Sequence, residues 1–314
     1  MSKKTIVVFG ATGAQGGGLA HAILNDANSE FAVRAITRDV NSDKAKQLAT
    51  MGAEVVAGDV DDAVSVQNAM KGAYGAFCVT FFWAHYSPEK EMTEVKIMAE
   101  AAKSAGLKHV IWSTLEDVRK HVPLTDDRMP TLNEKYKVPH FDGKGESDQY
   151  FINEEVPTTF LLPSYYWENL IYFGMGPKRG ADGKLSITFP MSDKKLAGIG
   201  ADDIGKCAYG IFKKSTEFIG KRVGIAGEQL TCADMAKQLS TALGEEVSYN
   251  AVTPAQYRGF GFPGAEDLGN MFQFYAEFEK EFEIWRDVNL SKKLNPELQS
   301  FKMWLSKNAK RIPI

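Results

Sequence analysis

The chain has 314 residues with 37 basic and 40 acidic side chains, a formal net charge of −3, and 44% hydrophobic residues. That composition supports a sizeable core and gives no electrostatic case for direct binding to nucleic acid. No apolar run is long enough to span a bilayer, and three scattered cysteines, Cys78, Cys207 and Cys232, lack metal-ligand spacing. They read as reduced thiols of an intracellular protein, with no metal site. The chain enters a strand directly after Lys3-Lys4, which argues against a secretory leader. The expected location is cytoplasmic, with the nucleus as an alternative.

An apolar run, Thr5 to Phe9, ends in Gly10-Ala11-Thr12-Gly13-Ala14-Gln15-Gly16 and passes into a helical pattern to about Asn25. This is the opening of a dinucleotide-binding βαβ unit. Gly10 allows the turn, Gly13 lets backbone approach a pyrophosphate, and Gly16 lets the helix pack on the strand. The amides of the helix N-terminus then face the phosphate oxygens. Strands follow at 31–37, 54–56, 76–79 and 109–112, separated by helices over 43–51, 63–70 and 88–105. Such alternation predicts a doubly wound parallel sheet of Rossmann type, an α/β fold. Residues 117–139 carry Pro123, Pro130 and Pro139 and no period. They read as a long loop, functional or mobile. A helix is expected from Lys144 to Asn153 and a strand at 158–162, stopped by Pro163.

Beyond that point the alternation fails. The pattern gives strands near 184–189, 222–226 and 247–252, and a helix at 202–213. Thr231 with Asp234 caps a helix to Leu243. Thr253-Pro254 opens a short helix, and Asn295-Pro296 repeats that signature before the last one. We expect an NADP-binding domain over 1–155 and a smaller C-terminal α/β lobe over 156–314, with the 202–213 helix returning to the first.

Thr37-Arg38-Asp39 stands where the adenosine ribose would lie. Arg38 offers a fork of donors for a 2′-phosphate, with Lys44 or Lys46 adding charge, and Asp39 is the counter-signal. NADP(H) is therefore preferred to NAD(H). Asp59 and Val60 border the adenine. Thr80, Phe81 and Phe82 border the nicotinamide ribose, where the aromatic run either floors a pocket or belongs to the core.

Short-chain reductases pair a tyrosine with a lysine four residues later, plus a serine after the fifth strand. Ser113 is in place and Lys144 is the lysine candidate, but His140 occupies the tyrosine position. A histidine can donate a proton near neutral pH. Alternatively, His140 only caps or packs, and Lys144 only holds the ribose. Nothing in the sequence suggests hydrolytic or metal chemistry.

The run Val8 to Gly17, then Gly52-Ala53-Glu54-Val55-Val56 with Gly58-Asp59, resembles the NmrA-like family of atypical short-chain dehydrogenase/reductases. His140-Phe141-Asp142-Gly143-Lys144-Gly145-Glu146 and Gly261-Phe262-Pro263-Gly264-Ala265-Glu266-Asp267-Leu268 are similar to a subgroup of redox sensors within it. The resemblance covers nearly the whole chain. It implies a protein that prefers NADP(H), senses the NADPH/NADP ratio, binds regulatory partner proteins, and forms a dimer whose state depends on nucleotide. By that resemblance Gly10, Thr12, Gly13, Ala14, Gln15 and Gly16 cradle the pyrophosphate and Arg38 meets the 2′-phosphate. Asp59 and Val60 flank adenine, Thr80 and Phe81 the ribose, and Lys144 the nicotinamide ribose. The segment Tyr166-Trp167-Glu168-Asn169 lies over the nicotinamide end. A lysine expected in the helix after the fourth strand is displaced, with Thr93 in its place and Lys96 nearby. The leading reading is an NADP(H)-binding sensor. The alternative is an NADPH-dependent reductase of a quinone or other small carbonyl compound, using Lys144 and His140. A scaffold with a vestigial site is the third.

Overall fold

Short runs of β-branched and aromatic residues, covered on both faces by helices, form a seven-stranded parallel sheet. The computed structural model describes residues 3–314. Its first half holds β1 (Lys4–Val8), α1 (Ala14–Asn25), β2 (Phe31–Thr37), α2 (Asp43–Thr50), β3 (Glu54–Ala57), α3 (Ala63–Met70), β4 (Gly75–Cys78), α4 (Pro88–Ser104), β5 (His109–Ser113) and α5 (Pro139–Asn153). Then come β6 (Thr158–Leu162), β7 (Tyr165–Tyr166), α6 (Asn169–Tyr172), β8 (Lys178–Arg179), β9 (Leu185–Phe189), β10 (Lys195–Ile199), α7 (Ala201–Lys213), β11 (Arg222–Gly224) and β12 (Glu228–Thr231). The chain closes with α8 (Cys232–Leu243), β13 (Val247–Ala251), α9 (Pro254–Arg258), α10 (Ala265–Glu277), α11 (Glu279–Trp285), α12 (Val288–Leu294) and α13 (Phe301–Asn308).

The strand order is β3-β2-β1-β4-β5-β6-β11, all neighbours parallel. The order in which strands are added reverses between β1 and β4, so a crevice opens at the carboxyl ends of those strands. Two three-stranded sheets, β12-β10-β7 and β13-β9-β8, build the smaller lobe. Its core includes Trp167, Phe189, Phe272 and Trp304. The chain passes between the lobes repeatedly: β6 is buried along its whole length between β5 and β11. No single cut near residue 155 therefore separates them.

Helix α7 lies directly on α1. A Cβ on Gly18 would stand 2.6 Å from the Asp202 carbonyl oxygen, and one on Gly205 would strike the Leu19 backbone nitrogen. Only paired glycines permit that crossing.

Three sequence expectations change. Helix α5 starts at Pro139 rather than Lys144. Proline suits the first helical turn because it has no amide to satisfy, and Gly145 is needed because a Cβ there would strike the Asp117 backbone. The 117–139 segment is stapled down. Val118, Val122, Met129, Tyr136 and Val138 are buried, and the Lys137 ammonium donates to the carbonyls of Asp126 at 2.8 Å and Met129 at 2.7 Å. Asn295 does not open the last helix. Ser300 caps α13, while Asn295 Nδ2 donates to Asp203 Oδ1 at 2.9 Å.

Overpacking the glycine crossing should destabilise the whole fold. Gly205→Val is expected to cost about 3 kcal/mol, read as a lower urea midpoint with unchanged slope.

Candidate functional site

The carboxyl ends of β1 to β5 bring most of the sequence-selected residues to one crevice. Gly10 adopts φ +62° and its carbonyl accepts the Gly13 amide at 2.8 Å. A Cβ on Gly16 would stand 2.5 Å from the Gly10 oxygen and 2.6 Å from that of Phe9. Gly13 is the N-cap of α1 and supplies no side-chain acceptor, and the first turn holds no acid. The amides of Ala14, Gln15 and Gly16 therefore lack a side-chain cap, and the positive end of the helix faces the crevice. This cradle fits a pyrophosphate. Beside it, Lys44 Nζ donates to the Thr12 carbonyl at 3.1 Å.

Arg38 is exposed at the end of β2 and makes no hydrogen bond or ion pair among the described residues. Asp39 turns away: its Oδ1 accepts the Asn41 amide at 2.9 Å. Asp59 is exposed after β3, with its amide donating to Ser65 Oγ at 3.1 Å, and Val60 is half-buried beside it.

At the other end, Lys144 is held on a buried acid. Its Nζ donates to Thr80 Oγ1 at 2.6 Å and pairs with Glu91 Oε1 at 2.9 Å. Thr80 in turn donates to Glu91 Oε1 at 2.7 Å. The ammonium also lies 5.0 Å from the Trp112 ring centroid, a favourable cation–π distance. Glu91 was missed by sequence reasoning. The signal was available, because Glu91 falls with Pro88, Val95 and Met98 on the buried stripe of α4. Lys96 is not brought to the site. It lies on the solvent face of α4, 3.8 Å from Glu100.

Ser113 joins a different set. Its hydroxyl donates to Gln15 Oε1 at 2.7 Å, and Gln15 Nε2 donates to the Tyr166 hydroxyl at 2.5 Å. Burial pushes the Tyr166 phenol up, so it stays protonated at neutral pH with its own O–H free to donate. A strand-end serine, the glycine-loop glutamine and a tyrosine of β7 thus form one chain across the crevice.

His140 is committed elsewhere. Asp267 Oδ1 pairs with its Nδ1 at 2.5 Å and Asp267 Oδ2 accepts its amide at 3.2 Å. The ring packs on Trp83 and Phe82, at centroid distances of 4.8 and 5.8 Å. Phe82 is consequently core, 3% exposed, whereas Phe81 is 59% exposed at the crevice end of β4. In the Tyr166–Asn169 segment only Tyr166 is tied to the glycine loop. Trp167 is buried against Phe301 and Trp304. Glu168 accepts from Trp304 Nε1 at 2.8 Å and from the Ala201 amide at 2.9 Å, capping α7. Asn169 is half-buried at the start of α6. The apolar and capping demands of the smaller lobe claim Trp167 and Glu168.

Among the described residues no group of acids, histidines and cysteines is arranged for a metal, and no helix is long and apolar enough to cross a membrane.

The profile of the NmrA-like family matches residues 2–305. The chain belongs to the NmrA-like family. An NmrA-like family domain-containing protein of Dictyostelium discoideum is 28% identical over 286 residues, covering 88% of this chain and 89% of that protein. The NmrA-like family domain-containing oxidoreductase FrzB of Cladobotryum sp. is 28% identical over 291 residues, covering 86% and 83%. Among solved structures, Nmra, a negative transcriptional regulator, in complex with NADP superposes with a TM-score of 0.77. It is 23% identical and covers 98% of this chain and 95% of that one, which makes it a likeness of fold. The same regulator has also been solved with NAD.

The two stretches that carry the resemblance to a subgroup, around His140 and around Asp267, meet in one buried hydrogen-bonded pair. Asp267→Asn should lower stability by about 1–3 kcal/mol, because the amide keeps one acceptor oxygen where the carboxylate meets both the ring and the backbone amide of His140. Urea unfolding at neutral pH measures it.

Proposed function

We propose that this NmrA-like protein is an NADP(H)-binding regulator that senses the redox state of its nucleotide. The observation that carries the reading is Arg38, an uncommitted guanidinium at the ribose position beside an uncapped helix N-terminus. A 2′-phosphate would give its fork a bidentate acceptor, and Lys44 adds a second positive charge near the glycine loop. The family relation and the NADP complex of the Nmra regulator support the same reading. Binding of regulatory partner proteins and nucleotide-dependent dimerisation belong to it. A sensor must bind its ligand differently in two states, since equal affinity shifts nothing.

A second reading is favoured by Lys144 and Tyr166 and by the naming of FrzB as an oxidoreductase. Bound NADPH supplies a hydride. The protonated Tyr166 phenol, fixed by Gln15, and the Lys144 ammonium, fixed by Glu91, are donors suited to a quinone or carbonyl oxygen that gains negative charge. His140 is less suited, its ring being buried among Phe82, Trp83 and Phe141.

Calorimetric titration with NADPH, NADP and NADH tests both readings at the nucleotide. Arg38→Ala is expected to weaken NADPH and NADP by roughly tenfold to a hundredfold and to leave NADH nearly unchanged. Equal losses for NADPH and NADH would remove the 2′-phosphate assignment. Steady NADPH consumption with a quinone, abolished in Lys144→Ala, would favour the reductase. An assembly state that ignores nucleotide would sink the sensor.

A further inference from the structure

We propose that two carboxylates behind Lys144, Glu91 and Glu94, set how strongly the site distinguishes oxidised from reduced nicotinamide. The inference rests on the reading that Lys144 serves the nicotinamide end of NADP(H). Glu91 and Glu94 lie one turn apart on the buried face of α4, fully buried and 5% exposed respectively. Glu91 and Lys144 offset each other at 2.9 Å, whereas Glu94 has no such cation. The turn after β4 presents it with His85, whose Nε2 stands 3.6 Å from Glu94 Oε1. His85 Nδ1 accepts the Ser87 amide at 3.1 Å, so the ring proton sits on Nε2, and burial keeps the ring neutral.

Two atoms in this cluster, Glu91 Oε2 and His85 Nε2, are buried without a hydrogen-bond partner. A group this polar and this poorly satisfied is uncommon in a folded interior unless it has a role. The charges that act on Glu94 are Asp61 in the turn between β3 and α3, Glu91 and Lys90 on α4, and Lys144 on α5. Lys90 and Asp61 pair with each other at 2.9 Å on the surface and add no net charge. Burial, then the carboxylates of Asp61 and Glu91, push Glu94 up to about 7, against the two lysines.

The charge behind the nicotinamide end therefore changes across the physiological range. With Glu94 protonated, Lys144, Glu91 and Glu94 sum to zero. With Glu94 ionised they sum to one negative charge. The oxidised nicotinamide ring is a cation and the reduced ring is neutral, so ionisation of Glu94 favours NADP+ over NADPH. One unit charge in a partly solvated cleft is worth roughly a three- to tenfold change in relative affinity.

Calorimetry on the full chain at about pH 6, 7 and 8 gives the dissociation constants of NADP+ and NADPH, and their ratio cancels the 2′-phosphate, which both carry. The expected result is a Kd ratio, NADPH over NADP+, that rises roughly three- to tenfold with pH. In Glu94→Gln the ratio stays flat at the low-pH value of the unaltered protein. Asp61→Asn, a change at an exposed side chain outside the core, moves the midpoint to lower pH. A flat ratio in the unaltered protein overturns the proposal, as does a slope that survives Glu94→Gln or a midpoint that ignores Asp61→Asn. Failure of either nucleotide to bind at any pH overturns the nucleotide reading itself, and this inference with it.

Discussion

A carboxylate with no access to water must find a cation, gather hydrogen-bond donors or give up its charge, and that constraint organises the centre of this molecule. Helix α5 carries an answer to it on each turn. Asp142 gathers the amides of Val118, Lys137 and Val138. Lys144 meets Glu91 and Thr80. Asp148 accepts from Trp112 Nε1 and Thr114 Oγ1 and pairs with Arg222. At its first turn, His140 is fastened to α10 through Asp267. Moving α5 would break all of these at once, so the helix that bears Lys144 is fixed relative to the sheet, the 117–138 segment and the smaller lobe together.

The crevice is spanned by a second set of contacts with weaker demands. Ser113, Gln15 and Tyr166 are neutral, and their hydrogen bonds can be exchanged for bonds to a ligand at little net cost. Glu168 works behind them, linking α13 to the start of α7. The NmrA-like crevice thus has a rigid floor of paired charges and a rim of exchangeable polar groups.

The sheet was legible in the sequence because its strands are short apolar runs and its glycines stand where a Cβ would meet backbone. The start of α5 was not, since glycines at 143 and 145 lower helix propensity and the reason for them is a distant approach, as at Asp117 for Gly145. Residues 117–139 looked free because their anchors are single buried side chains and a lysine bonded to carbonyls, which leave no period. Glu91 was hidden among the charges of α4, although its place on the apolar stripe marked it. Trp167 and Glu168 were assigned by resemblance to the nucleotide, but their partners Phe301, Trp304 and Ala201 lie far along the chain, where pattern alone cannot reach.

The crossing of α1 and α7 has a further consequence for how the protein assembles. The glycine turn and α1 are synthesised first, yet the face of α1 at Gly18 is covered by residues near 202–205. That contact closes a loop of well over a hundred residues, and such distant pairings form late. The nascent chain carries a glycine turn whose supporting helix lacks its cover until most of the polypeptide has left the ribosome. The earliest motif in the sequence is among the last parts of the fold to become rigid.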